Sequence, residues 1–303
     1  MDFIEIISLS RQLLRLMAVR VASSSKAASG QSWAHQFPGS QSIIDFKKAM
    51  PLLVICSILC MPSIVLAMHP LITDDAGTQG KGKFQFELNG QYDYEKETIA
   101  GVAIKETGGQ ENSILTYGVV DSIDAVLSVP YIWVNVRKNG VITQDAEGWS
   151  DTTLEVKWRL YEKDGLSLAL KPGTSIPIGD DGKGLGSGKV GYTTFLIITK
   201  EMEPWAFHVN LGYKRNENTE NNRCDLWHAS LAVVRTLTEN LKLVADLGVD
   251  RNEDKQLSTD PVFILGGVVY SVKDTIDLDL GLKYGLTEPA TNYSLLAGLT
   301  MRL

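Results

Sequence analysis

Residues 84–94 read Phe84-Gln-Phe-Glu-Leu-Asn-Gly-Gln-Tyr-Asp-Tyr94, and this stretch alternates between two kinds of side chain. Its even positions carry aromatic, apolar or glycine residues, and its odd positions carry amides and acids. A β-strand directs successive side chains to opposite faces, whereas a helix would mix the two sets around its surface. The stretch therefore predicts a strand with one apolar and one polar face.

The same alternation recurs through the rest of the chain, in about twelve segments after residue 82. Tight turns follow the even-numbered strands, and one rim of long loops with one of short turns is typical of an outer-membrane barrel. Long polar stretches follow the odd-numbered strands, near 95–110, 137–148, 179–189, 215–223 and 251–260. The sequence predicts an all-β fold over 83–303: a closed antiparallel transmembrane β-barrel with long extracellular loops and short periplasmic turns.

Charged side chains lie well inside the predicted strands, on the face opposite to the apolar residues. A soluble sandwich or a lipocalin-like barrel would bury the apolar face. A closed barrel of about twelve strands is too wide for side chains to fill as an apolar core, whereas a wet lumen suits charges. Aromatic residues also gather near strand ends, where the girdles of membrane barrels lie. Both observations favour the membrane barrel.

An apolar run over 51–67 follows Lys47-Lys48 and closes on Val65-Leu-Ala67. This arrangement predicts a signal peptide over 47–67, cleaved before Met68. The alternative is a membrane anchor, but Pro62 interrupts the run and its length is short for a spanning helix. We interpret residues 1–46 as a non-structural extension and residues 68–82 as a periplasmic or lumen segment.

The chain has 303 residues with 29 basic and 36 acidic side chains. Residues 1–67 hold six of the basic and three of the acidic groups, so the remainder carries 23 against 33, a net charge of −10. An acidic body without a basic stripe argues against nucleic-acid binding. Cys224 is the only cysteine after residue 67, which excludes an intrachain disulfide and a cysteine metal cluster there. We expect no metal site and no cofactor.

A glycine-rich stretch at 182–190 fails the spacing of a phosphate-binding loop. Lys183 occupies the position of the first glycine, and Val190 follows Lys189 where Ser or Thr would ligate magnesium. Asp74 and Asp75, together with loop carboxylates, are candidates for calcium or for bridging lipopolysaccharide phosphates. Solvated loop charge is the ordinary interpretation of these acids.

His208 and His228 fall on the predicted lumen face, and Ser230 lies two residues beyond His228. Two residues along a strand are separated by about 7 Å, too far for a direct hydrogen bond. We therefore interpret both histidines as neutral polar groups of the lumen, and a Ser-His hydrolase as the weaker alternative.

Two segments are apolar on both faces, so the lumen receives apolar groups whichever face meets lipid. In the first segment Phe195 and Ile197 share one face, and Leu196 and Ile198 lie on the other. In the second, Phe263 and Leu265 share one face, and Val262 and Ile264 lie on the other. Either these residues line a hydrophobic passage, or residues 68–82 pack on them as a plug. The candidate lumen-lining residues are Glu87, Lys157, Arg159, His208, His228, Asp246, Asp279, Phe263 and Leu265.

Four motifs follow one another in an order that is typical of one family of bacterial proteins. They are His69-Pro-Leu-Ile-Thr-Asp-Asp-Ala-Gly-Thr-Gln-Gly80, Leu115-Thr-Tyr-Gly-Val-Val-Asp121, Gly148-Trp-Ser-Asp-Thr-Thr-Leu-Glu-Val-Lys-Trp-Arg159 and Leu170-Lys-Pro-Gly-Thr-Ser-Ile-Pro-Ile-Gly179. Over about residues 69–303 the chain resembles the bacterial outer-membrane proteins of the MetA-pathway phenol-degradation family. The resemblance implies an outer-membrane barrel with a role in the passage of aromatic or other hydrophobic compounds, and no established site residues. The chain ends in Leu303, where such barrels often end in Phe.

We expect a passive channel in the outer membrane of a Gram-negative bacterium, for small molecules that include hydrophobic or aromatic ones. Its expected partners are outer-membrane lipids, lipopolysaccharide and a small-molecule solute, and we expect no enzymatic activity. One alternative is a structural or adhesive barrel with a plugged lumen. Another is an outer-membrane esterase or phospholipase.

Overall fold

The computed structural model describes residues 69–99 and 101–303. The predicted N-terminal extension and signal peptide lie outside the described residues. Among those that are described, no helix is long and apolar enough to cross a membrane. A short 3-10 helix covers Asp181–Lys183. The strands are β1 (Phe84–Ile99), β2 (Val102–Val120), β3 (Ile123–Lys138), β4 (Val141–Trp149), β5 (Thr152–Lys163), β6 (Leu166–Ile176), β7 (Gly191–Met202), β8 (Trp205–Arg215), β9 (Asp225–Thr238), β10 (Leu241–Asp250), β11 (Val262–Lys273), β12 (Ile276–Gly285) and β13 (Tyr293–Arg302).

The strands form one antiparallel sheet that closes on itself. The closing ladder joins β1 to β13, from Gln85 opposite Arg302 to Tyr94 opposite Tyr293. β4 and β5 pair with different parts of β3, so together they fill one position in the wall. The wall therefore has 12 positions, and the predicted barrel is confirmed. Closure pairs the two terminal strands, so neither leaves an open edge in lipid.

The sequence predicts loops near 95–110 and 137–148, and the structure forms strands at both places. β1 and β2 continue there as a hairpin whose register runs unbroken to the turn. β3 and β4 meet at Asn139 and Gly140, whose φ angles of 49° and 83° suit a two-residue hairpin turn. Outside lipid a strand needs no apolar outer face, so these polar strand ends resemble loops in sequence. The long connections at 177–190, 216–224 and 251–261 are irregular, in agreement with the prediction.

The outer face of the barrel is apolar and the inner face is polar. On β12, Leu278, Leu280 and Leu282 are exposed, whereas Asp277 and Asp279, on the opposite face, are buried at 2% and 8% exposure. This is the reverse of a soluble protein, in which leucines turn inward. An exposed apolar wall around a polar interior is the arrangement of a barrel in lipid.

Aromatic pairs mark two heights on the outer wall. Phe84 and Tyr117 lie 4.6 Å apart between ring centroids, and Tyr94 stacks on Tyr293 at 4.8 Å. Ten residues of strand at about 3.4 Å each, tilted by about 40°, rise about 26 Å. That height matches the apolar band of an outer-membrane barrel, about 25 Å. Residues of β1 beyond Tyr94 therefore project out of the band.

A cation on the lipid-facing wall tests this orientation. Leu280 is central on β12 and exposed, so Leu280→Arg is expected to lower the free energy of unfolding by about 2–4 kcal/mol. The measurement is urea unfolding of the protein refolded into lipid bilayers. Leu257 is equally apolar and 48% exposed, but it lies in the 251–261 loop, so Leu257→Arg is the matched control with little effect. Equal losses from both variants would contradict a lipid-facing Leu280.

Candidate functional site: the plugged lumen

Residues 69–82, called the plug from here on, lie inside the barrel and cross its lumen. At one end the Nδ1 atom of His69 is 2.5 Å from the Oδ1 atom of Asp279 on β12. At the other end the Gly82 N–H donates to the carbonyl oxygen of Gly118 on β2, at 2.7 Å. The plug contains no helix or strand, so side chains of the wall must satisfy its backbone groups.

Asp246 on β10 makes the most concentrated contact with the plug. Its Oδ2 atom accepts the N–H groups of Ile72 and Thr73, each at 2.8 Å. Its Oδ1 atom lies 2.7 Å from the Thr73 hydroxyl oxygen. Asp246 is 2% exposed, so these charge-assisted hydrogen bonds are shielded from water. One carboxylate therefore holds two consecutive residues of the plug.

Asp74 of the plug lies between two lysines of the wall. Its carboxylate oxygens are 2.8 Å from the Lys157 Nζ atom on β5 and 2.9 Å from the Lys171 Nζ atom on β6. Lys171 also lies 3.4 Å from a carboxylate oxygen of Glu155. The interpretation of Asp74 as a solvated loop charge is therefore wrong, because the plug brings it to a pair of lysines inside the barrel.

The ladder between β5 and β6 is interrupted beside these lysines. Glu155 pairs with Gly173 and Trp158 with Leu170, but no pairs lie between them. Pro172 falls in this interval and has no N–H to donate to the ladder. The two lysine-bearing segments are therefore joined by the Asp74 ion pairs where the backbone ladder is absent.

Small residues of the wall allow the plug to approach closely. A Cβ atom on Gly281 would lie 2.7 Å from the Cβ atom of Pro70. A Cβ atom on Gly118 would lie 1.9 Å from the Gly80 carbonyl oxygen, a distance that atoms do not reach. These positions must be glycine as long as the plug occupies its place.

Apolar residues of the plug cover the apolar side of the lumen. Phe263 is 6% exposed and Leu265 is 1% exposed beneath Leu71. Ala76 packs in a second cluster with Ala169 and Ile197, and Phe195 lies against this cluster. Leu71 packs with Ala232, Val234, Val244, Phe263, Leu265, Val269 and Leu296. With the plug docked, these residues form a packed interface rather than an open hydrophobic passage.

The register places all nine candidate residues on the inner face of the wall. Asp246, Asp279, Lys157, Phe263 and Leu265 contact the plug, as described above. Whether any of the nine contacts a solute stays a prediction.

The remaining four candidates have other neighbours. Arg159 lies near the rim that carries the short turns, where it donates to the Asp121 carbonyl oxygen at 3.0 Å. His208 lies 2.9 Å from the hydroxyl of Thr199, which in turn accepts the Ala76 N–H of the plug at 2.9 Å. Glu87 borders the space beside the plug. The fourth candidate, His228, lines a cavity together with Ile72 of the plug.

The prediction that His228 cannot reach Ser230 is wrong. The Nε2 atom of His228 is 2.9 Å from the Ser230 hydroxyl oxygen, and its Nδ1 atom is 2.7 Å from Asp250. The imidazole leans along the strand and covers most of the two-residue separation. The Ser230 hydroxyl also lies 2.7 Å from the Thr73 hydroxyl, and Ser230 is 7% exposed. The plug therefore covers the oxygen that a hydrolase would use as nucleophile.

Cavities border the plug. One of about 270 Å³ separates the plug from β1, β2, β3 and β5, with Glu87, Asn112 and Asp124 in its wall. Another of about 520 Å³ is lined by Ile72 of the plug and by His228. Within residues 69–99 and 101–303, no three His, Cys, Asp or Glu side chains are grouped to hold a metal ion.

Sequence reasoning missed Thr73, Lys171 and Asp124 as docking residues. Asp124 accepts a hydrogen bond from the Gln79 N–H at 3.0 Å. Its position beside a turn makes it look like an ordinary turn residue in the sequence. Lys171 precedes Pro172, and that dipeptide is the one local signal that could have drawn attention to this part of the wall. Thr73 has no local signal, because its partners are more than 150 positions away in sequence.

The closed wall, apolar belt and polar lumen define a β-barrel of the outer-membrane class, with its own N-terminal segment docked inside. The chain belongs to the family described as "Putative MetA-pathway of phenol degradation", which matches residues 70–303. The resemblance seen in the sequence is thereby confirmed. No curated protein matches the chain.

Solved structures share the fold at low sequence identity. An outer membrane channel from Pseudomonas putida F1 aligns with a TM-score of 0.60 and 14% identity, over 76% of this chain and 98% of that one. The KdgM porin aligns at 0.48 and 5% identity, over 72% and 98%. The translocator domain of the autotransporter NalP from Neisseria meningitidis aligns at 0.47 and 13%, over 85% and 95%. The first similarity supports the fold.

Loss of the Asp246 carboxylate tests how the plug is held. In Asp246→Asn the N–H groups of Ile72 and Thr73 lose a charged acceptor, at a cost of about 1.5–3 kcal/mol. We expect their hydrogen exchange to accelerate about 10- to 100-fold, measured by mass spectrometry on peptides covering the plug. Asp274→Asn, in the exposed turn between β11 and β12, is the matched control and is expected to change nothing. Unchanged exchange in Asp246→Asn would show that this carboxylate does not hold the plug.

Proposed function

We propose that this protein is a passive channel for small molecules in the outer membrane of a Gram-negative bacterium. The observation that carries the proposal is the polar cavity of about 270 Å³ between the plug and the β1–β3 side of the wall. At about 30 Å³ per molecule, this volume corresponds to about nine waters. The similar barrel from Pseudomonas putida F1 is itself described as an outer membrane channel.

The two sides of the lumen suit different solutes. The plug packs on the apolar side, so the polar side is the path for water and small polar solutes in the docked state. Hydrophobic or aromatic solutes would use the surface around Phe263 and Leu265 after the plug leaves it. The outer apolar belt would contact outer-membrane lipids and lipopolysaccharide.

The alternatives make different demands on the lumen. A structural or adhesive barrel needs no path, and its lumen would conduct nothing. A hydrolase needs a substrate carbonyl at the Ser230 hydroxyl, which the plug covers. We therefore propose transport without catalysis.

Conductance in planar lipid bilayers tests the channel. The intact protein is expected to give small, steady currents, and a variant lacking residues 69–82 is expected to give larger ones, because the plug occupies the lumen. The control is Asp274→Asn, which leaves the plug and its contacts intact. Silence of both the intact and the plug-deleted protein would contradict the channel and favour the adhesive barrel. Turnover of a p-nitrophenyl ester that Ser230→Ala abolishes would favour the hydrolase.

A substitution on the apolar side tests the passage of aromatic solutes. Phe263→Asp in the plug-deleted protein places a carboxylate on the apolar surface, so the flux of an aromatic solute should fall severalfold. The measurement is liposome swelling with arbutin, a neutral aromatic glycoside, compared with potassium conductance as a measure of pore integrity. Phe263→Leu keeps the surface apolar and should retain the flux. Equal arbutin flux in both variants would contradict passage along this surface.

A further inference from the structure

From Gln85 to Glu97, the inward positions of β1 carry acids and amides. Glu87 lies low on the strand and Glu97 lies beyond the aromatic girdle, ten residues and about 34 Å further along. On β2, Glu106 stands opposite Glu95. Within the described residues, the inner faces of β1 and β2 carry no lysine or arginine. The inward side chains of β1 are Gln85, Glu87, Asn89, Gln91, Asp93, Glu95 and Glu97.

The amides on this face direct their donors at the acids. The Nε2 atom of Gln85 donates to Glu87 at 2.8 Å, and the Nδ2 atom of Asn89 donates to the same carboxylate at 3.3 Å. Gln91 donates to Asp93 at 2.7 Å. The carbonyl oxygens of Gln85 and Asn89 are buried and have no hydrogen-bond partner in the described part of the chain. The wall beside the cavity is therefore rich in acceptors and poor in donors, which suits a cation rather than an anion.

Positive charge on the opposite side of the same cavity is neutralised. Lys157 and Lys171 border the cavity, but Asp74 of the plug holds both of them at 2.9 Å or closer. Asp124 and Glu87 add two further carboxylates to its lining. Without the plug, the two lysines would lose Asp74 and face the lumen.

We propose that the docked plug makes this channel cation-selective. The inner face of β1 supplies the negative surface, and Asp74 together with Glu155 neutralises the two lysines that would otherwise repel a cation. This inference rests on the proposed channel function and adds the charge of the solute that passes. A pore lined by one sign of charge concentrates the opposite ion.

Reversal potentials across bilayers with unequal potassium chloride concentrations test the inference. The intact protein is expected to favour potassium over chloride by roughly threefold or more. Glu87→Gln should reduce this ratio by about half, and Asp74→Asn should reduce it further because Lys157 loses its carboxylate partner and Lys171 keeps only Glu155. Glu288→Gln, in the exposed loop between β12 and β13, is the matched control with an unchanged ratio.

A rescue variant separates the charge of Asp74 from its part in holding the plug. In Asp74→Asn/Lys157→Gln/Lys171→Gln the unmasked lysines are gone, so the preference for potassium should return. Currents without cation preference in the intact protein, or a ratio unaffected by Glu87→Gln and Asp74→Asn, would overturn this inference alone. Silent bilayers would overturn the channel and this inference with it.

Glu95 lies opposite Glu106 on the inner faces of β1 and β2, beyond the aromatic girdle, and this acidic pair adds a pH dependence. Burial, together with the neighbouring charges of Glu106, Glu97 and Asp93, raises the pKa of Glu95 to about 7. Glu95 is therefore charged above that pH and neutral below it, so acidification from pH 8.5 to 5.5 should lower the potassium preference. Glu95→Gln should remove the part of this change centred near pH 7, whereas Glu288→Gln should keep it. A profile that Glu95→Gln leaves unchanged would contradict a role for Glu95 in selectivity.

Discussion

The ladder between β1 and β13 closes the sheet, and the width of the resulting barrel determines how the rest of the chain is used. A strand in lipid must pair all of its backbone groups, so the sheet has to close. With 12 positions the closed wall encloses more space than its own side chains can fill. The chain supplies the missing contents with the segment that precedes β1.

The plug is held mainly by polar contacts because an extended segment carries backbone groups that need partners. Asp246 accepts hydrogen bonds from the N–H groups of Ile72 and Thr73 and from the Thr73 hydroxyl. Asp74 lies between two lysines. Leu71 and Ala76 add apolar contacts on one side only. The wall is apolar on that side and polar on the other, so docking is asymmetric and leaves a space along the acidic face of β1.

The alternation of side chains along each strand was sufficient to predict which residues of most of the wall point inward. It placed Asp246 and Asp279 inward, because an inward position follows from counting by twos from any exposed leucine. It was not sufficient for contacts between distant strands, such as Thr73 with Asp246, which are 173 positions apart. It also failed for His228 and Ser230, because a two-residue spacing says nothing about the rotamer that tilts the imidazole along the strand. The polar ends of β1–β4 lack an apolar face, so the sequence predicts loops where the structure has strands.

By itself the sequence determined that this is a membrane barrel, which residues face lipid, and that apolar groups must also enter the lumen. Those properties depend on a two-residue period that is local and survives any arrangement of the strands. Only the tertiary structure decided that Asp74 pairs with Lys157 and Lys171, that Leu71 covers Phe263, and that the open space lies beside β1. The physical reason is that the plug has no periodic pattern, and its position depends on carboxylates and glycines that meet only after the barrel closes.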